Sequence, residues 1–285
     1  MLNKTATVLK GIIDFFLFSS LFIAFCAICM IYQTWYLFKV PFYPDFLYFI
    51  FFGTLCSYNF HWYLTPELYG GSYRTKWSIR HKKLHLVLYI IALAGCGWFC
   101  FQLLAHWRWL LATAFITFLY SAPKIPFPPF NHLKKIAVGK TIFLSLVWTH
   151  STVILPLVLR NIHWQSEHFI FVINRFFLIY SICILFDYRD REEDRKEGIK
   201  SMITILPEKK IKWLFFLSII IFFITSILLY LSGMMLSHCV ALIIPGIIVA
   251  LLYNYSKKNT SEYFYYFFLD GLMMFSAILI FIFQF

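Results

Sequence analysis

Acidic residues are scarce in this sequence, and nearly half of them fall in one short run. There are 13 Asp and Glu residues in 285, and six of them lie between positions 187 and 197. Four are spaced three, four and three residues apart, namely Asp187, Asp190, Asp194 and Glu197. On a continuous helix this spacing places all four on one face, where like charges repel unless a cation lies among them. Oxygen ligands at an accessible helix end suit Mg²⁺, which takes one or two carboxylates and completes its shell with water and substrate phosphate.

The same run also permits an interpretation without a metal. Opposite charges recur four residues apart, as Asp187 with Arg191, Arg189 with Glu193, and Glu192 with Lys196. Pairs at this spacing stabilise the exposed surface of a helix. Composition and spacing alone therefore leave two alternatives, a metal site and a solvated helix end stabilised by ion pairs.

The elements that must position these acids are membrane helices. The chain is 61% apolar and 22% aromatic, with a mean hydropathy of +0.75. A membrane span needs about 20 largely apolar residues. Nine stretches come close, at about 15–32, 46–64, 84–104, 108–120, 140–159, 168–186, 213–231, 235–254 and 264–285. We therefore predict an all-α polytopic transmembrane bundle of about nine spans, organised as a single membrane domain over residues 1–285, with the acidic run at the foot of the sixth span.

The basic residues predict the orientation of the bundle. If the N-terminus is cytoplasmic, 21 of the 25 Lys and Arg residues fall on the cytoplasmic side. Only Lys39, Arg108 and Arg160 are then external, and Arg175 lies within a span. This asymmetry is the usual rule for inserted proteins, so the net charge of +12 reflects membrane insertion and anionic lipid rather than nucleic acid. We expect an integral protein of a bacterial cell membrane, with its active face in the cytoplasm.

Two segments resemble one known family. The segment from Asp187 to Pro207, DYRDREEDRKEGIKSMITILP, resembles the second aspartate-rich motif of the UbiA superfamily of intramembrane prenyltransferases. The second segment runs from Leu119-Tyr120-Ser121-Ala122-Pro123 through Leu133-Lys134-Lys135 to Gly139-Lys140. It is similar to the Tyr-Ser-x-Pro loop of the family and the helix that follows. The order of about nine helices also matches the family layout.

The resemblance implies transfer of an isoprenyl chain from a polyprenyl diphosphate to a hydrophobic or aromatic acceptor within the membrane lipid. It implies Mg²⁺ held by Asp187, Asp190 and Asp194, where the metal grips the diphosphate and neutralises the leaving group. Cationic side chains assist in binding the substrate. The corresponding substrate-binding residues here are Tyr120, Lys140, Arg195, Lys196 and Lys200.

The first aspartate motif of the family, NDxxDxxxD, is degenerate in this chain. The matching segment begins at Asn59 and ends at Glu67, and we assign these two residues to substrate binding. Phe60 and Tyr63 stand where two carboxylates belong, and neither can bind Mg²⁺. Either one metal suffices, or bases in the following loop such as Arg74 replace the second metal, or the chain does not catalyse the reaction.

Polar residues at membrane depth add a further set of candidates. Asp270 lies about two turns into the last span, where it could pair with a basic group, accept a proton from a substrate, or cap a helix. Arg175 is expected to reach outward or to pair with Asp45, and His150 to hydrogen-bond a neighbouring helix. Three functions remain open: a prenyltransferase, a non-catalytic relative that binds isoprenoid lipids or diphosphates, and a transporter that uses Asp270 and Arg175.

Overall fold

The protein is described by a computed structural model that covers residues 2–65, 72–121, 139–196 and 201–283. Side chains are described within these ranges except at 2–4, 119–121, 192, 193 and 196. Every regular element in the described ranges is a helix, which confirms the prediction of an all-α fold. The helices are α1 (Leu2–Phe18), α2 (Leu21–Leu37), α3 (Pro44–Tyr63), α4 (Tyr73–Arg80), α5 (Lys82–Gln102), α6 (Trp107–Ser121), α7 (Lys140–Val158), α8 (Ser166–Lys196), α9 (Met202–Ile205), α10 (Glu208–Leu231), α11 (Leu236–Leu251), α12 (Tyr253–Ser256) and α13 (Phe264–Phe283).

Several of these helices can cross a membrane. By length and composition, five described helices qualify, namely α5, α7, α8, α10 and α13. The bent pair α1 and α2 adds a sixth if it counts as one span. Each of the nine apolar stretches falls on a described helix. The chain is therefore a polytopic helical membrane protein, while the number nine and the cytoplasmic N-terminus stay predictions.

The first apolar stretch is divided between two helices that meet at a bend. The chain bends by 59° between α1 and α2. Ser20 adopts a left-handed conformation with φ 70°, so the helix cannot continue through it. The carbonyl oxygen of Ser19, next to the break, accepts a hydrogen bond from Asn59 Nδ2 at 3.1 Å. A partner on α3 thus stabilises the break, and the predicted first span corresponds to a bent pair of helices.

Helix α8 forms the centre of the bundle and carries the acidic run at its C-terminal end. Phe171, Leu178 and Leu185 lie seven residues apart on α8, and all three are fully buried. This spacing gives one apolar stripe along the helix. The helix packs against α7 and α10, with further contacts to α11 and α13. The acids therefore leave the bundle on a largely buried helix, which limits how far they can move.

Hydrogen bonds to one carboxylate fasten the foot of α8 to its neighbours. Glu208, at the start of α10, accepts a hydrogen bond from Tyr188 at 2.9 Å and another from Tyr253 at 3.2 Å. Lys257 also donates to this carboxylate, and Arg191 lies 3.7 Å from it. Because these partners come from α8, α12 and the segment after α12, the cluster joins three segments at the base of the acidic run.

Arg175 does not reach outward as expected. Its side chain is 1% exposed, and Nη2 donates to Gln33 on α2 and to Ser276 on α13, the latter at 2.9 Å. The guanidinium also lies over the ring of Phe171. The prediction of snorkelling or of pairing with Asp45 is wrong, because α2 and α13 close over Arg175 and supply hydrogen-bond acceptors.

His150 lies at the start of a π-helical turn that spans His150–Ile154 in α7. Its ring is buried and stacks on Trp109 of α6 at 6.1 Å between ring centroids. His150 also forms a hydrogen bond with the backbone of Trp109 on this neighbouring helix, as predicted, and Thr34 Oγ1 of α2 donates to the carbonyl oxygen of Thr152 at 2.7 Å. The local role of this region is therefore to pack α7 against α2 and α6.

A close approach between α10 and α11 depends on a residue without a side chain. A Cβ atom at Gly246 would overlap the ring of Phe222, which is fully buried and cannot move aside. We expect Gly246→Ala to lower the free energy of unfolding by about 1–3 kcal/mol, the usual cost of overpacking. The measurement is unfolding of the purified protein in detergent micelles. Gly97→Ala is the matched control, because a Cβ at Gly97 meets no atom within 4 Å. Equal stability of the two variants would contradict this account of the contact.

Candidate functional site

The acidic run continues α8 without interruption. Helix α8 extends to Lys196, so Asp187, Asp190 and Asp194 lie along one helical face, as their spacing predicts. Asp187 and Asp194 are each only 5% exposed, and the side chain of Asp190 is 25% exposed. The carboxylates are thus held partly beneath the surface, unlike those of a solvated helix end.

Asp187 and Asp190 both have partners in the structure. Thr141 donates a hydrogen bond to Asp187 Oδ2 at 2.5 Å. Asp190 accepts from Arg189 at 2.8 Å, and its other oxygen lies 3.8 Å from Lys140 Nζ. Lys140 and Thr141 open α7, so the start of α7 supplies the polar groups that face the acids of α8.

Of the ion pairs predicted at four-residue spacing, only that of Asp187 with Arg191 joins two described side chains, since those of Glu192, Glu193 and Lys196 lie outside the description. Arg189 pairs with its neighbour Asp190, and Arg191 lies nearest to Glu208 on α10. No pair of Asp187 with Arg191 forms between the described side chains, because Asp187 faces Thr141 on α7. Contacts with α7 and α10 therefore decide the partners of Asp187 and Arg191, whereas Arg189 pairs within its own helix.

Asp194 differs from the other two acids. Its Oδ2 atom is buried and has no hydrogen-bond partner among the described residues. A buried carboxylate oxygen without a donor is costly, so it points to a cation or proton donor that completes the site. Within the described ranges, no three His, Cys, Asp or Glu side chains form a ready-made metal cluster. The donor set fits Mg²⁺ all the same, because this ion usually takes only one or two carboxylates and fills its shell with water and phosphate.

The other predicted substrate-binding residues divide into three groups. Glu67 and Lys200 lie outside the described residues. Tyr120 lies in the last turn of α6 and Lys196 ends α8, and their side chains are not described. Arg195 follows Asp194 near the end of α8 and is exposed. Among the side chains that the structure describes, Lys140 lies across from the acids, 3.8 Å from Asp190.

Asn59 lies inside the bundle and faces a histidine. Its Nδ2 donates to the backbone carbonyls of Ser19 and Leu55, so its Oδ1 can only accept. The Nδ1 atom of His85 lies 2.7 Å from that oxygen, and must therefore carry the proton. Both side chains are fully buried. Because all polar atoms of the Asn59 side chain are engaged, a direct contact with substrate stays a prediction.

Phe60 and Tyr63, which replace two carboxylates of the first aspartate motif, contact residues of α5. Phe60 stacks on Tyr89 of α5 with ring centroids 5.2 Å apart. The ring of Tyr63 lies 5.7 Å from Lys82 Nζ. Neither side chain offers an oxygen that could replace a carboxylate as a metal ligand here. The loss of this half of the site is thus visible in structure as well as in sequence.

A pair of arginines around one tyrosine ring is the main feature that sequence reasoning missed. The Arg74 guanidinium lies 3.8 Å from the ring centroid of Tyr266, and the Arg189 guanidinium lies 4.6 Å from the same centroid. Arg74 also covers Trp62 at 4.2 Å. It is 3% exposed, its Nε has no partner among the described residues, and burial lowers its pKa. We call Arg74, Arg189 and Tyr266 the arginine clamp.

The arginine clamp could not be predicted from the sequence, because its three residues lie far apart along the chain. The sequence indicates only that Arg74 is one of several basic loop residues and that Arg189 can form an ion pair. The one available signal is the aromatic run before Asp270, since guanidinium groups often stack on such rings.

Helix α4, which carries Arg74, is held in place by Asp14 of α1. Tyr73 Oη donates to one oxygen of Asp14 at 2.6 Å, and Tyr263 Oη donates to the other at 2.5 Å. The hydrogen bond to the carboxylate raises the pKa of Tyr73. Phe18 packs edge-on against Tyr73 beside these contacts. The first helix therefore joins α4 to the start of α13.

Comparison with known proteins decides the family. The model of the UbiA prenyltransferase family matches residues 74–277, which is well over half of the chain. The chain belongs to the UbiA prenyltransferase family. No curated protein and no solved structure matches it. The UbiA match begins at Arg74, so it includes the acids of α8, the arginine clamp and Asp270, but not Asn59.

Membership carries the general properties of UbiA proteins. These are integral membrane prenyltransferases, and they generally use Mg²⁺ through aspartate-rich motifs. The resemblance noted at Asp187–Pro207 is therefore confirmed as a family relationship. The part of the UbiA pattern that this chain has lost lies before the matched region, at Phe60 and Tyr63.

Proposed function

We propose that this protein is an active UbiA prenyltransferase, which transfers an isoprenyl group from a polyprenyl diphosphate to a lipid-soluble or aromatic acceptor. The observation that carries the proposal is the buried Oδ2 atom of Asp194, which has no hydrogen-bond partner among the described residues and lies on the same face of α8 as Asp187 and Asp190. We propose that residues 1–285 act as one membrane domain in a bacterial cell membrane. The basic residues favour a cytoplasmic active face.

Asp187, Asp190 and Asp194 are the residues that would hold Mg²⁺. When bound, the ion supplies Lewis acidity that neutralises the departing diphosphate. Lys140 is close enough to Asp190 to share the same phosphate-binding region. Tyr120, Arg195, Lys196 and Lys200 extend this assignment from the family resemblance. Ring faces in the bundle can shield the allylic cation that forms when the C–O bond breaks.

The arginine clamp can compensate for the carboxylates missing from the first aspartate motif. A second Mg²⁺ needs carboxylates that Phe60 and Tyr63 do not provide. Arg74 and Arg189 instead place two guanidinium groups against the Tyr266 ring. A guanidinium binds phosphate oxygens in a forked arrangement, so the clamp can take over part of the charge neutralisation. We infer that one metal and two arginines hold the diphosphate.

A second candidate function rests on the same loss. If Phe60 and Tyr63 mark a site that no longer turns over, the protein is a relative that binds isoprenoid lipid or diphosphate without catalysis. The buried charges of the arginine clamp would then bind a ligand only. Turnover separates the two functions.

The test is a screen of labelled geranyl, farnesyl and geranylgeranyl diphosphates with purified protein, with and without Mg²⁺. We expect diphosphate release that depends on Mg²⁺ and that is lost in Asp187→Ala and Asp190→Ala. Release that is intact in both variants would overturn the proposed site. Binding of a donor without release would favour the non-catalytic relative.

A further inference from the structure

Glu262 is a buried acid near the foot of α8 that the proposed site does not use. It lies two residues before α13, and its side chain is 7% exposed. Its Oε2 atom is buried and has no hydrogen-bond partner among the described residues. A buried carboxylate is costly unless a positive group compensates for its charge. The role of Glu262 therefore depends on the charge that faces it.

That charge is the guanidinium of Arg189. Its Nη1 atom lies 3.8 Å from Glu262 Oε2, which is an ion pair but is too long for a hydrogen bond. Nη1 is itself buried and has no hydrogen-bond partner among the described residues. The other two nitrogens, Nε and Nη2, each lie 2.8 Å from Asp190 Oδ1. One guanidinium therefore bridges an acid of α8 and an acid next to α13.

The turn that carries Glu262 is fixed in place by its neighbours. Tyr265 is fully buried, and its Oη atom donates a hydrogen bond to the carbonyl oxygen of Ser256 at 2.7 Å. The helical conformation that leads into α13 already begins at Glu262. Because Glu262 precedes Tyr266 by four residues, the two side chains lie on the same side of this turn. Arg189 contacts both of them, so Glu262 and the Tyr266 ring hold the same guanidinium.

Under the proposed function, Arg189 shares Asp190 with Mg²⁺. Oδ1 of Asp190 accepts both close contacts from Arg189, and the same carboxylate is assigned to the ion. A bound divalent cation is the largest charge in its surroundings, so it competes with a guanidinium for the negative charge of a shared ligand. Glu262 is then the acid that remains to keep Arg189 against Tyr266.

We infer that Glu262 is a positioning residue, which holds Arg189 in the arginine clamp so that this guanidinium meets the diphosphate of the donor. The inference rests on the proposed function, because it requires that the clamp binds diphosphate. A carboxylate near a diphosphate repels it, so removal of the charge of Glu262 should by itself tighten binding. Displacement of Arg189 should weaken binding. The positioning role and simple repulsion therefore predict changes of opposite sign.

The test is binding of labelled farnesyl thiodiphosphate, an unreactive analogue of the donor, at a fixed concentration of Mg²⁺. The purified full-length protein is embedded in lipid nanodiscs, and empty nanodiscs give the background. Glu262→Gln keeps the size of the side chain but removes its charge. We expect this variant to raise the Kd of the analogue by about 5–30-fold, within the usual range of coupling between residues in contact. Glu262→Asp should recover part of the affinity, because it restores a carboxylate.

A double variant shows whether Glu262 acts through Arg189. When Arg189→Met is already present, the addition of Glu262→Gln should leave the Kd unchanged or lower it, because no guanidinium remains to be held. Loss of affinity that is the same with and without Arg189 would give Glu262 a structural role only, and would overturn the inference.

Glu208→Gln is the matched control. Glu208 also lies beside an arginine of α8, at 3.7 Å from Arg191, but that arginine is not part of the clamp. This variant should change the Kd by less than about twofold, because it removes the same charge without moving a clamp residue. A loss as large as that of Glu262→Gln would attribute both effects to the general charge of the foot, and would overturn the inference.

The remaining outcomes separate this inference from the proposed function. Unchanged or tighter binding in Glu262→Gln would overturn the inference, while Mg²⁺-dependent release of diphosphate by the wild type would leave the proposed function intact. The expected pattern of binding in a wild type without turnover would support the inference and favour the non-catalytic relative. Absence of any binding of the analogue by the wild type would remove the proposed function and this inference together.

Discussion

Asp194→Asn is expected to lower Mg²⁺-dependent diphosphate release by about 10²–10³-fold, the usual cost of losing one group that stabilises developing charge. The reason is the unpartnered Oδ2 atom of Asp194, which is buried at the foot of α8. An amide at this position keeps the size of the side chain but removes the negative charge that attracts the ion. Because the ion would then be bound more weakly, excess Mg²⁺ should recover part of the activity.

The measurement is release of diphosphate from a labelled polyprenyl diphosphate over a range of Mg²⁺ concentrations. Glu167→Gln is the control, because Glu167 is an acid in the first turn of the same helix, at the opposite end of the bundle. It should keep the Mg²⁺ dependence of the wild type. If Asp194→Asn showed an unchanged requirement for Mg²⁺, the assignment of this carboxylate to the ion would be wrong.

Arg74→Met should lower kcat/KM for the donor by about 10–100-fold. A charge-assisted hydrogen bond is worth about 1.5–3 kcal/mol, which corresponds to that range. Met fills a similar volume against the rings of Trp62 and Tyr266 but carries no charge. We expect Arg74→Lys to recover little, since an ammonium group cannot stack flat between two rings or bind phosphate in a forked arrangement. The loss should appear mainly as a higher KM for the donor if Arg74 binds the diphosphate equally in the ground state.

The control for Arg74→Met is Arg160→Met. Arg160 also covers an aromatic ring, that of Tyr43 at 4.3 Å, but it follows the end of α7 that lies away from the acids. This variant should keep the kinetic constants of the wild type. Turnover and KM that are unchanged in Arg74→Met would mean that the arginine clamp does not replace the missing carboxylates, and that one metal acts alone.

Those parts of the site that depend on local spacing could be predicted from the sequence. The three- and four-residue spacing from Asp187 to Asp194 matches the helical period, and α8 extends far enough to place these acids on one face. Apolar stretches likewise coincide with helices, because a chain in lipid must satisfy its backbone hydrogen bonds within each segment. The family assignment followed from the same local pattern.

Contacts between distant segments could not be predicted. Ser20 interrupts an apolar stretch without Gly or Pro, so nothing local indicates the bend, which depends on Asn59 of another helix. The environment of Arg175 depends in the same way on Gln33 and Ser276. A side chain at membrane depth takes its partners from whichever helices pack around it, and a single sequence does not contain that packing.

The attachment of α1 has a practical consequence for handling the protein. Asp14 receives hydroxyl groups from both Tyr73 and Tyr263, and Phe18 lies 5.5 Å below the Arg74 guanidinium. Helix α1 thus holds α4 and the start of α13 in place, although the family match begins only at Arg74. A clone trimmed to the matched region would lose these contacts to Tyr73, Tyr263 and Arg74, so α1 belongs in any fragment made for biochemical work.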